Sequence, residues 1–316
     1  MAVPFSGYGM AIGVGKETTW GTAVARGTNW LRAAKWSLAR QQIRETIAHL
    51  THGDAGDVQE EFSVREEAGG GISFPLRYVG VQGLILEAIF GLVATTGASP
   101  YVHTYTMAST LPSLTLEGRR GNSVISEVFE GCKGKSAVLS CSVGEVATLG
   151  VDFMAQTGAV RGASGTPAYG AGEPVAFHQM PTVTFNSVAY TVKSYSLEFA
   201  NELGRVDELG SLTTAEPGFS GLRTVRLKAT LAYRSDTLYV AQNALTSGDV
   251  TWTHTGATSP NSLALTLKAA TLQSVSDPVE TAGYLEQQVE WLGHAAGAVG
   301  SCIAVVTNGQ SAHSAG

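Results

Sequence analysis

The sequence predicts a mainly β protein made of two tandem copies of one β-rich unit, each with a short flanking helix. Three observations lead to this fold class. The chain has 316 residues, about twice the ~150 residues expected of one domain. Glycine is abundant, at 38 residues, while charged residues make up only 15%, a balance that favours turn-rich β-structure. The predicted elements of the second half also repeat the order of the first.

The first half is predicted to contain strands interrupted by one helix. Residues 30–38 alternate as a strand, and a long polar passage follows over 44–71, whose middle is compatible with a charged hairpin arm. Residues 72–78 alternate again, and 81–90 have apolar residues at helical spacing, with Gly91 placed to end the helix. Further strands separated by glycines are predicted at 101–107, 113–117, 124–129, 136–143 and 147–154.

The second half repeats this order with almost no matching residues. Residues 192–199 correspond to 31–38, 224–233 to 72–78, the helix at 236–245 to that at 81–90, and the strands at 262–267 and 285–292 to 113–117 and 147–154. Gly248 follows the second helix as Gly91 follows the first. The repeat therefore depends on the order and lengths of elements.

These elements divide the chain into four parts. Residues 1–30 are rich in Gly, Thr and Ala without a sustained period, which predicts an extended arm rather than part of a core. Residues 31–157 are the first unit and 175–316 the second. Between them, 158–174 has repeated glycines among Ser, Thr and Ala and is predicted to be a linker.

The sequence contains no motif that indicates catalysis, a cofactor or a metal. In the run ending Gly15-Lys16, Met10 stands where a phosphate-binding loop needs its first glycine, and Glu17 where it needs Ser or Thr. The seven histidines lack metal-ligand spacing, and there is no GxSxG elbow. Three cysteines are too few and too scattered for a disulfide framework, and are expected to be small buried side chains: Cys132, Cys141 and Cys302. We expect a protein that is not an enzyme.

Charge and hydropathy argue against stable binding to nucleic acid or to a membrane. The formal net charge is -6, which provides no basic surface for gripping DNA. The N-terminus does not resemble a secretory signal, and the longest apolar stretch, 84–94, is interrupted by Glu87 and is shorter than a bilayer span. We expect no membrane anchor.

Several segments resemble the tail tube (major tail) proteins of long-tailed bacteriophages, of the siphophage type. The most specific is the run Gly13-Val14-Gly15-Lys16-Glu17-Thr18-Thr19-Trp20-Gly21-Thr22-Ala23-Val24-Ala25, which is similar to that family's N-terminal signature. Further similarities lie at 131–133, 150–154, 183–186 leading into 192–199, and 303–308.

The resemblance implies β-sandwich or small-barrel folds, rings with six folds around an axis, and stacking of the rings into a hollow tube through which genomic DNA is ejected into the host. With two folds per chain, three chains would complete a pseudo-hexameric ring; a true hexamer with one decorated fold per chain is the alternative. The implied partners are other copies of the chain, the tape measure protein, and the tail terminator and distal tail proteins. Double-stranded DNA would pass without specific binding, in a virion tail tube assembled in the host cytoplasm.

Two sets of candidate residues follow from the resemblance. Candidates for contacts between rings are Trp20, Asp54, Asp57, Glu60, Glu61, Arg65, Arg205, Asp207 and Glu208. Candidates for lumen-facing acids are Glu117, Glu145, Asp152, Glu198 and Glu290, because a wall that carries acids would repel phosphates. The alternative function is a two-domain β-sandwich binding module of the adhesin or carbohydrate-binding type, which would cluster exposed aromatic residues on one face.

Overall fold

The computed structural model describes residues 10–31, 34–47, 60–119, 125–162, 167–169, 172–180, 182–276 and 285–311. The first half contains β1 (Ala11–Lys16), β2 (Trp30–Leu31), β3 (Lys35–Trp36), β4 (Ala39–Ile47), β5 (Glu60–Pro75), α1 (Gln82–Phe90), β6 (Gly91–Thr96), β7 (Tyr101–Met107), β8 (Leu114–Arg119), β9 (Ile125–Ser142), β10 (Thr148–Ala155) and β11 (Thr157–Gly162). The second half contains β12 (Val183–Phe185), β13 (Val188–Tyr190), β14 (Val192–Ala200), β15 (Leu203–Val206), β16 (Ala215–Phe219), β17 (Thr224–Ala232), α2 (Thr237–Asn243), β18 (Ser247–Thr255), β19 (Ser262–Val275), β20 (Glu286–Leu292) and β21 (Cys302–Asn308). The prediction of a mainly β chain with two short helices is confirmed.

One layer of the fold is a sheet whose strand order is the same in both halves. The order is β4–β5–β10–β9 in the first half and β14–β17–β20–β19 in the second, and every pair is antiparallel. Residues 136–142 of β9 pair with 194–200 of β14. The two four-stranded sheets are therefore joined edge to edge into one sheet of eight strands.

The second layer repeats as well. It has the order β2–β1–β8–β9–β11 in the first half and β13–β12–β18–β19–β21 in the second. The long strands β9 and β19 belong to both layers, so each half is a β-sandwich. The hairpin of β6 and β7 extends the second layer by pairing with β21. The sheets do not close into a barrel within the described residues.

Two β-bulges recur at equivalent points of the halves. Lys135 is the extra residue of β9 against β10, and Gln273 is the extra residue of β19 against β20. A second bulge interrupts the register of β8 with β9 in the first half and of β18 with β19 in the second. At this bulge the backbone has positive φ, 66° at Gly131 and 44° at Ala269. A bulge marks a specific point in the register of two strands, so its recurrence shows that two dissimilar sequences adopt the same pattern of strand pairing.

The helices differ in how deeply they are buried. Helix α1 lies in the core with residues 84–90 all buried, and it ends at Gly91, whose φ is 107°, as the sequence predicts. In helix α2 the buried residue is Leu238, and the helix ends at Ala244. Gly248 follows the helix but is not its cap, because it already pairs with Ala270 in β18.

Two segments predicted to be irregular, the arm and the linker, contain strands, and the polar passage between residues 44 and 71 contains a charged hairpin. In the predicted arm, β1 is buried in the core beside β8, because glycines at 13 and 15 leave room for the side chains of Val24 and Arg26 to pack closely. The polar passage 44–71 is mostly the hairpin of β4 and β5, whose charged residues pair across its strands. The predicted linker 158–174 begins inside β11, which pairs with β9.

Candidate functional site

One face of the eight-stranded sheet is open to solvent and is lined mainly by small and hydroxyl side chains. Along each strand, buried residues such as Leu139 and Leu197 alternate with outward residues. The outward residues of the central strands are Ser136, Val138, Ser140 and Ser142 on β9, Ser194, Ser196 and Glu198 on β14, and Arg226, Lys228 and Thr230 on β17. We call this surface the open face. Two shallow grooves run along it, so the surface is concave in places.

Two cations on the central strands of the open face are matched by carboxylates. Arg226 Nη1 lies 2.5 Å from Glu290 Oε1, and Lys228 Nζ lies 2.8 Å from both carboxylate oxygens of Glu198. Lys193, at the end of the same sheet, is paired with Glu286. These pairs are half-exposed, so each contributes little to stability, but each cation has its countercharge within the protein.

Three of the five acids expected to face a lumen lie on the open face. Asp152, Glu198 and Glu290 point outward from β10, β14 and β20. Glu145 lies in the turn that follows β9, where its N–H donates to the Ser142 carbonyl. Glu117 lies on β8 in the second layer and is buried within the chain, so it does not reach the open face.

The Glu117 carboxylate is an internal anchor. Its side chain is 0% exposed and is ion-paired with Arg26, whose Nε donates to it at 2.5 Å. A buried carboxylate needs such a partner to offset its lost hydration. The sequence showed an acid on a strand but not which layer the strand joins.

The residues expected to contact a neighbouring ring gather at one end of the sheet. Strand β5 pairs with β10 only from Ala68 onward, so residues 60–67 pair with β4 alone and extend beyond the sheet. The separate hairpin of β15 and β16 lies against this extension. Arg205 Nη1 donates to the Glu66 carbonyl at 2.7 Å, the Glu66 N–H donates to the Leu212 carbonyl at 2.7 Å, and Arg65 lies 3.9 Å from Asp207.

The other candidates for contacts between rings have varied environments. Glu61 accepts a hydrogen bond from Arg44 at 2.9 Å across the hairpin, Arg205 is ion-paired with Asp207, and Glu60 and Glu208 are exposed. Asp54 and Asp57 lie outside the described residues. Trp20 is half-buried against Gly131 and Gln156 of its own chain.

Sequence reasoning missed the exposed apolar side chains of the two hairpins. Phe62 and Val64 on β5 are each about half exposed, Leu209 is fully exposed, and Leu212 is 47% exposed. Exposed apolar side chains that cluster on one projection are typical of a contact surface. The available signal was the pair Phe62 and Val64 in an otherwise charged strand.

Glu66 fixes the base of the extended hairpin. Its carboxylate accepts hydrogen bonds from Arg40 at 2.7 Å and from Thr157 Oγ1 at 2.6 Å. Burial alone would raise the pKa of Glu66, but these hydrogen bonds outweigh it and leave the pKa lowered. The hairpin is thereby attached to β11 as well as to β10.

The N-terminal signature has a structural role. Lys16 Nζ lies 2.7 Å from Glu87 Oε1 on α1. The buried Glu17 carboxylate accepts from the Gly21 N–H at 3.0 Å, from Thr115 Oγ1 at 2.9 Å and from the Gly131 N–H at 2.8 Å. These contacts hold β1 and the segment after it against α1 and the bulge of β9.

A polar cluster joins the two halves at the end of α1. Asn201, 1% exposed, donates from Nδ2 to the carbonyls of Ile89 at 3.1 Å and Gly134 at 2.8 Å, and its N–H donates to the Lys135 carbonyl at 2.9 Å. Arg223 donates from Nε to Asn201 Oδ1 at 2.9 Å. Second-half side chains therefore satisfy carbonyl groups of the first half that the helix end leaves unpaired.

Arg223 itself is held mostly by carbonyl groups. Nη1 donates to Ala108 at 2.6 Å and Nη2 to Ile89 at 3.0 Å, and the guanidinium lies 4.9 Å from the centre of the Phe219 ring. Burial lowers the pKa of Arg223 to about 10, which leaves it charged at neutral pH. It is a structural cation.

His254 and the three cysteines are titratable groups that are buried in the core. His254 lies between Tyr195 Oη at 2.9 Å and the Ala176 carbonyl at 3.2 Å, and burial lowers its pKa to about 4. The three cysteines are buried and unbridged, as expected. Across the described part of the chain, no three His, Cys, Asp or Glu side chains are grouped to hold a metal, and no helix has the length and hydropathy to cross a bilayer.

Comparison with known proteins identifies a family for this chain. A family model described as phage tail tube protein matches residues 7–293, which is most of the chain. No match was found among curated proteins. The chain belongs to the phage tail tube protein family, and it is a structural component of the phage tail.

Proposed function

We propose that this member of the phage tail tube family forms rings of three chains, each contributing two tube folds, and that the rings stack into the tube through which the genome is ejected. The observation that carries this proposal is the junction of β9 with β14. Within one chain, two sheets of identical strand order are already joined edge to edge. A heterologous contact of this kind, repeated between chains, closes into a ring when its rotation permits.

The size of the resulting channel suits DNA. Three chains would place 24 strands around the axis, which at about 4.8 Å per strand give a circumference of about 115 Å and a backbone diameter of about 37 Å. Tilt of the strands widens such a cylinder. After side chains are added, the opening still exceeds the width of a DNA duplex.

The open face is our candidate for the channel wall. Each phosphate that a free cation neutralises adds affinity through counterion release. On the open face, Arg226 and Lys228 are instead neutralised by Glu290 and Glu198. The wall would then be lined by serine hydroxyls and internally paired charges, so DNA would slide along it without a strong electrostatic hold.

The paired hairpins are the candidate for stacking between rings. They extend beyond the sheet at one end and expose apolar side chains together with salt bridges, a combination typical of protein interfaces. We place Glu60, Glu61, Arg65, Arg205, Asp207 and Glu208 in this contact, with Asp54, Asp57 and Trp20 as further candidates from the sequence.

The tube has two ends and an interior, which define its further partners. Within the tail, the tape measure protein would occupy the channel before ejection, and the terminator and distal tail proteins would cap the stack. Assembly would take place in the host cytoplasm. These partners rest on membership of the family rather than on a contact in this chain.

Two alternatives are kept as outcomes of the test. A hexamer would use one fold of each chain in the ring and the other as decoration, which leaves the identical strand order of the two sheets without a purpose. A sugar-binding or adhesin module would expose clustered aromatic rings. On the open face of the described sheet, the outward side chains are mainly Ser, Thr and paired charges.

The proposal is tested by electron cryomicroscopy of the purified full chain after concentration. We expect hollow tubes with three chains per ring and six similar sheets around the lumen. Six chains per ring would overturn the trimer, and dispersed monomers at high concentration would overturn the tube function. Mass photometry of short assemblies provides an independent count of chains.

A further inference from the structure

The two halves of the chain differ in what lies at the outer edge of their last strand. In the first half, residues 136–142 of β9 pair with β14. In the second half, the equivalent part of β19, from Leu272 to Val275, pairs with β20 on one side, and no described strand pairs with its other side. At the opposite end of the sheet, β4 pairs with β5 alone among the described strands.

The repeated bulge fixes how the two ends correspond. Because Lys135 and Gln273 are the extra residues of equivalent bulges, Ser136 corresponds to Ser274. The pairing of β5 with β10 and of β17 with β20 makes Ile72 and Ala229 equivalent positions. Their partners on the edge strands are Trp36 and Tyr195, respectively. Residues 35–42 therefore correspond to 194–201.

This alignment gives Asn201 a counterpart in Gln42. Asn201 secures the junction inside the chain by donating its N–H to the carbonyl of the bulge residue Lys135 and its amide to the end of α1. Gln42 also has a carboxamide, but it is exposed, and its amide oxygen accepts only a long hydrogen bond of 3.4 Å, from Ser63. The carbonyl of the other bulge residue, Gln273, receives the Gln242 side chain at 3.1 Å and has a second lone pair available.

Helix α2 is positioned to receive a neighbour in the same way as α1. The last turn of α1 crosses β9 at Gly134, next to the bulge, and α2 contacts β19 at its bulge through Gln242. Residues 84–90 of α1 are all buried. In contrast, Tyr239, Val240 and Leu245, beside the β19 edge, are 44%, 61% and 77% exposed. An open strand edge next to exposed apolar side chains is a site for β-augmentation.

We infer that residues 39–42 of a second copy of this chain dock on the outer edge of β19, with Gln41 opposite Ser274, Arg40 opposite Val275 and Ala39 opposite Ser276. Gln42 of that copy donates its N–H to the Gln273 carbonyl and directs its carboxamide at the C-terminal carbonyls of α2. The inference rests on the proposed ring and specifies its register. We call this contact, a carboxamide residue bound to the bulge carbonyl and to the end of the helix, the latch. The ring then contains the latch six times, with Asn201 at three junctions and Gln42 at the other three.

The register is tested with the double variant Q41C/S274C. Residues directly opposite in antiparallel strands have Cα atoms about 4.5–5.5 Å apart, which suits a disulfide. Both positions are exposed and lie at opposite ends of one chain's sheet, so a disulfide can form only between chains. Under mild oxidation we expect covalent oligomers on denaturing gels. The matched control Q41C/Q288C moves one cysteine a strand inward and should cross-link at least tenfold less.

The outcomes separate this inference from the proposed function. Covalent oligomers that end at three chains support both, and oligomers that end at six support the register but overturn the trimer. Tubes that form without cross-links in Q41C/S274C overturn the register and leave the tube function standing. Dispersed monomers of the unmodified chain overturn both.

A second variant tests the latch without new cysteines. Gln42→Ala should raise the concentration needed for assembly about tenfold while leaving the melting temperature of the dissociated chain unchanged, because Gln42 is exposed there. Gln288→Ala removes an exposed carboxamide on β20, one strand inside the proposed docking edge, and should leave assembly unchanged. Equal assembly of Gln42→Ala and the unmodified chain would overturn the latch.

Discussion

Gly131 and Ala269 occupy the same position in two copies of one β-bulge, and only the first is a glycine. Their φ angles are 66° and 44°, in the left-handed region that L-residues with a Cβ avoid. A Cβ added at Gly131 would lie 2.9 Å from Trp20 Nε1 and 3.0 Å from Gln156 Cβ. The equivalent site at Ala269 already accommodates a methyl group. The space beside this backbone position is therefore smaller in the first half than in the second.

This difference predicts opposite effects of two single substitutions. Gly131→Ala should destabilise the chain by about 2 kcal/mol, because backbone strain adds to contact with Trp20. Ala269→Gly should stabilise it by about 0.5 kcal/mol, since relief of strain slightly exceeds the entropy that glycine adds to the unfolded state. Urea unfolding of the dissociated chain measures both. Equal effects of the same sign would show that the two bulges are not equivalent.

The paired charges of the open face predict a gain of DNA binding when their carboxylates are removed. In E198Q/E290Q, Lys228 and Arg226 lose their partners and become available to phosphates. We expect assembled tubes of this variant to retain linear DNA at low salt, with the retention lost as salt rises. Unmodified tubes should retain little at any salt concentration.

A matched control removes a carboxylate from a different surface. Asp249→Asn frees Lys268 on the hairpin of β18 and β19, in the second layer and away from the open face. If Asp249→Asn retained as much DNA as E198Q/E290Q, the effect would reflect net charge alone and the open face would lose its assignment as the channel wall.

The sequence predicted more of the fold than of the surfaces, for physical reasons. Alternation and helical spacing locate strands and helices because they depend on neighbours along the chain, and so β14, β17 and α1 were found close to their observed bounds. The burial of β1 was missed because Gly13 and Gly15 have no side chains to mark their face of the strand as buried, although Arg26 and Val24 pack against it. Glu117 was misplaced because layer assignment depends on long-range pairing, and an acid's spacing along the chain does not report it.

The candidate contact surfaces show the same division. Charged residues in the segments 60–67 and 205–208 were singled out by composition, but their proximity depends on contacts such as Arg205 with the Glu66 carbonyl. The junction residue Asn201 carried no signal, since a single asparagine after a strand has many common uses. Only the repeated pairing pattern relates it to Gln42.

Stability should fall on acidification because of His254. Burial lowers its pKa to about 4 from the ordinary 6.5, so between these values the unfolded chain binds a proton that the folded chain does not. The contribution of neutral His254 to the free energy of unfolding is therefore complete above pH 6.5. As the pH falls toward 4, the free energy of unfolding decreases by about 1.4 kcal/mol per pH unit at most, and by on the order of 3 kcal/mol in total. Chemical unfolding at a series of pH values measures the slope.

Two variants identify the group that causes this slope. His254→Gln keeps a polar side chain near Tyr195 and should flatten the pH dependence between about 4.5 and 6.5, although its stability at neutral pH is lower. His294→Gln removes an exposed imidazole and should leave the slope unchanged. An unaltered slope in His254→Gln would assign the pH dependence to other groups.

The cluster at the end of α1 predicts that Arg223 joins the two halves of the chain. Arg223→Ala would leave the Ala108 carbonyl and Asn201 Oδ1 without this donor and would leave the Ile89 carbonyl with Asn201 Nδ2 alone, in a buried setting, at a cost of about 3–5 kcal/mol. Arg223→Lys retains the charge but cannot supply donors in the same planar arrangement, so it should recover less than half of this loss. Arg226→Ala is the matched control, since Arg226 is a half-exposed partner of Glu290 and its removal should cost less than about 1 kcal/mol. Urea unfolding gives the three values, and hydrogen exchange of α1 amides shows where the loss acts. A loss of stability in Arg223→Ala no larger than in Arg226→Ala would mean that the sheet junction alone holds the halves together.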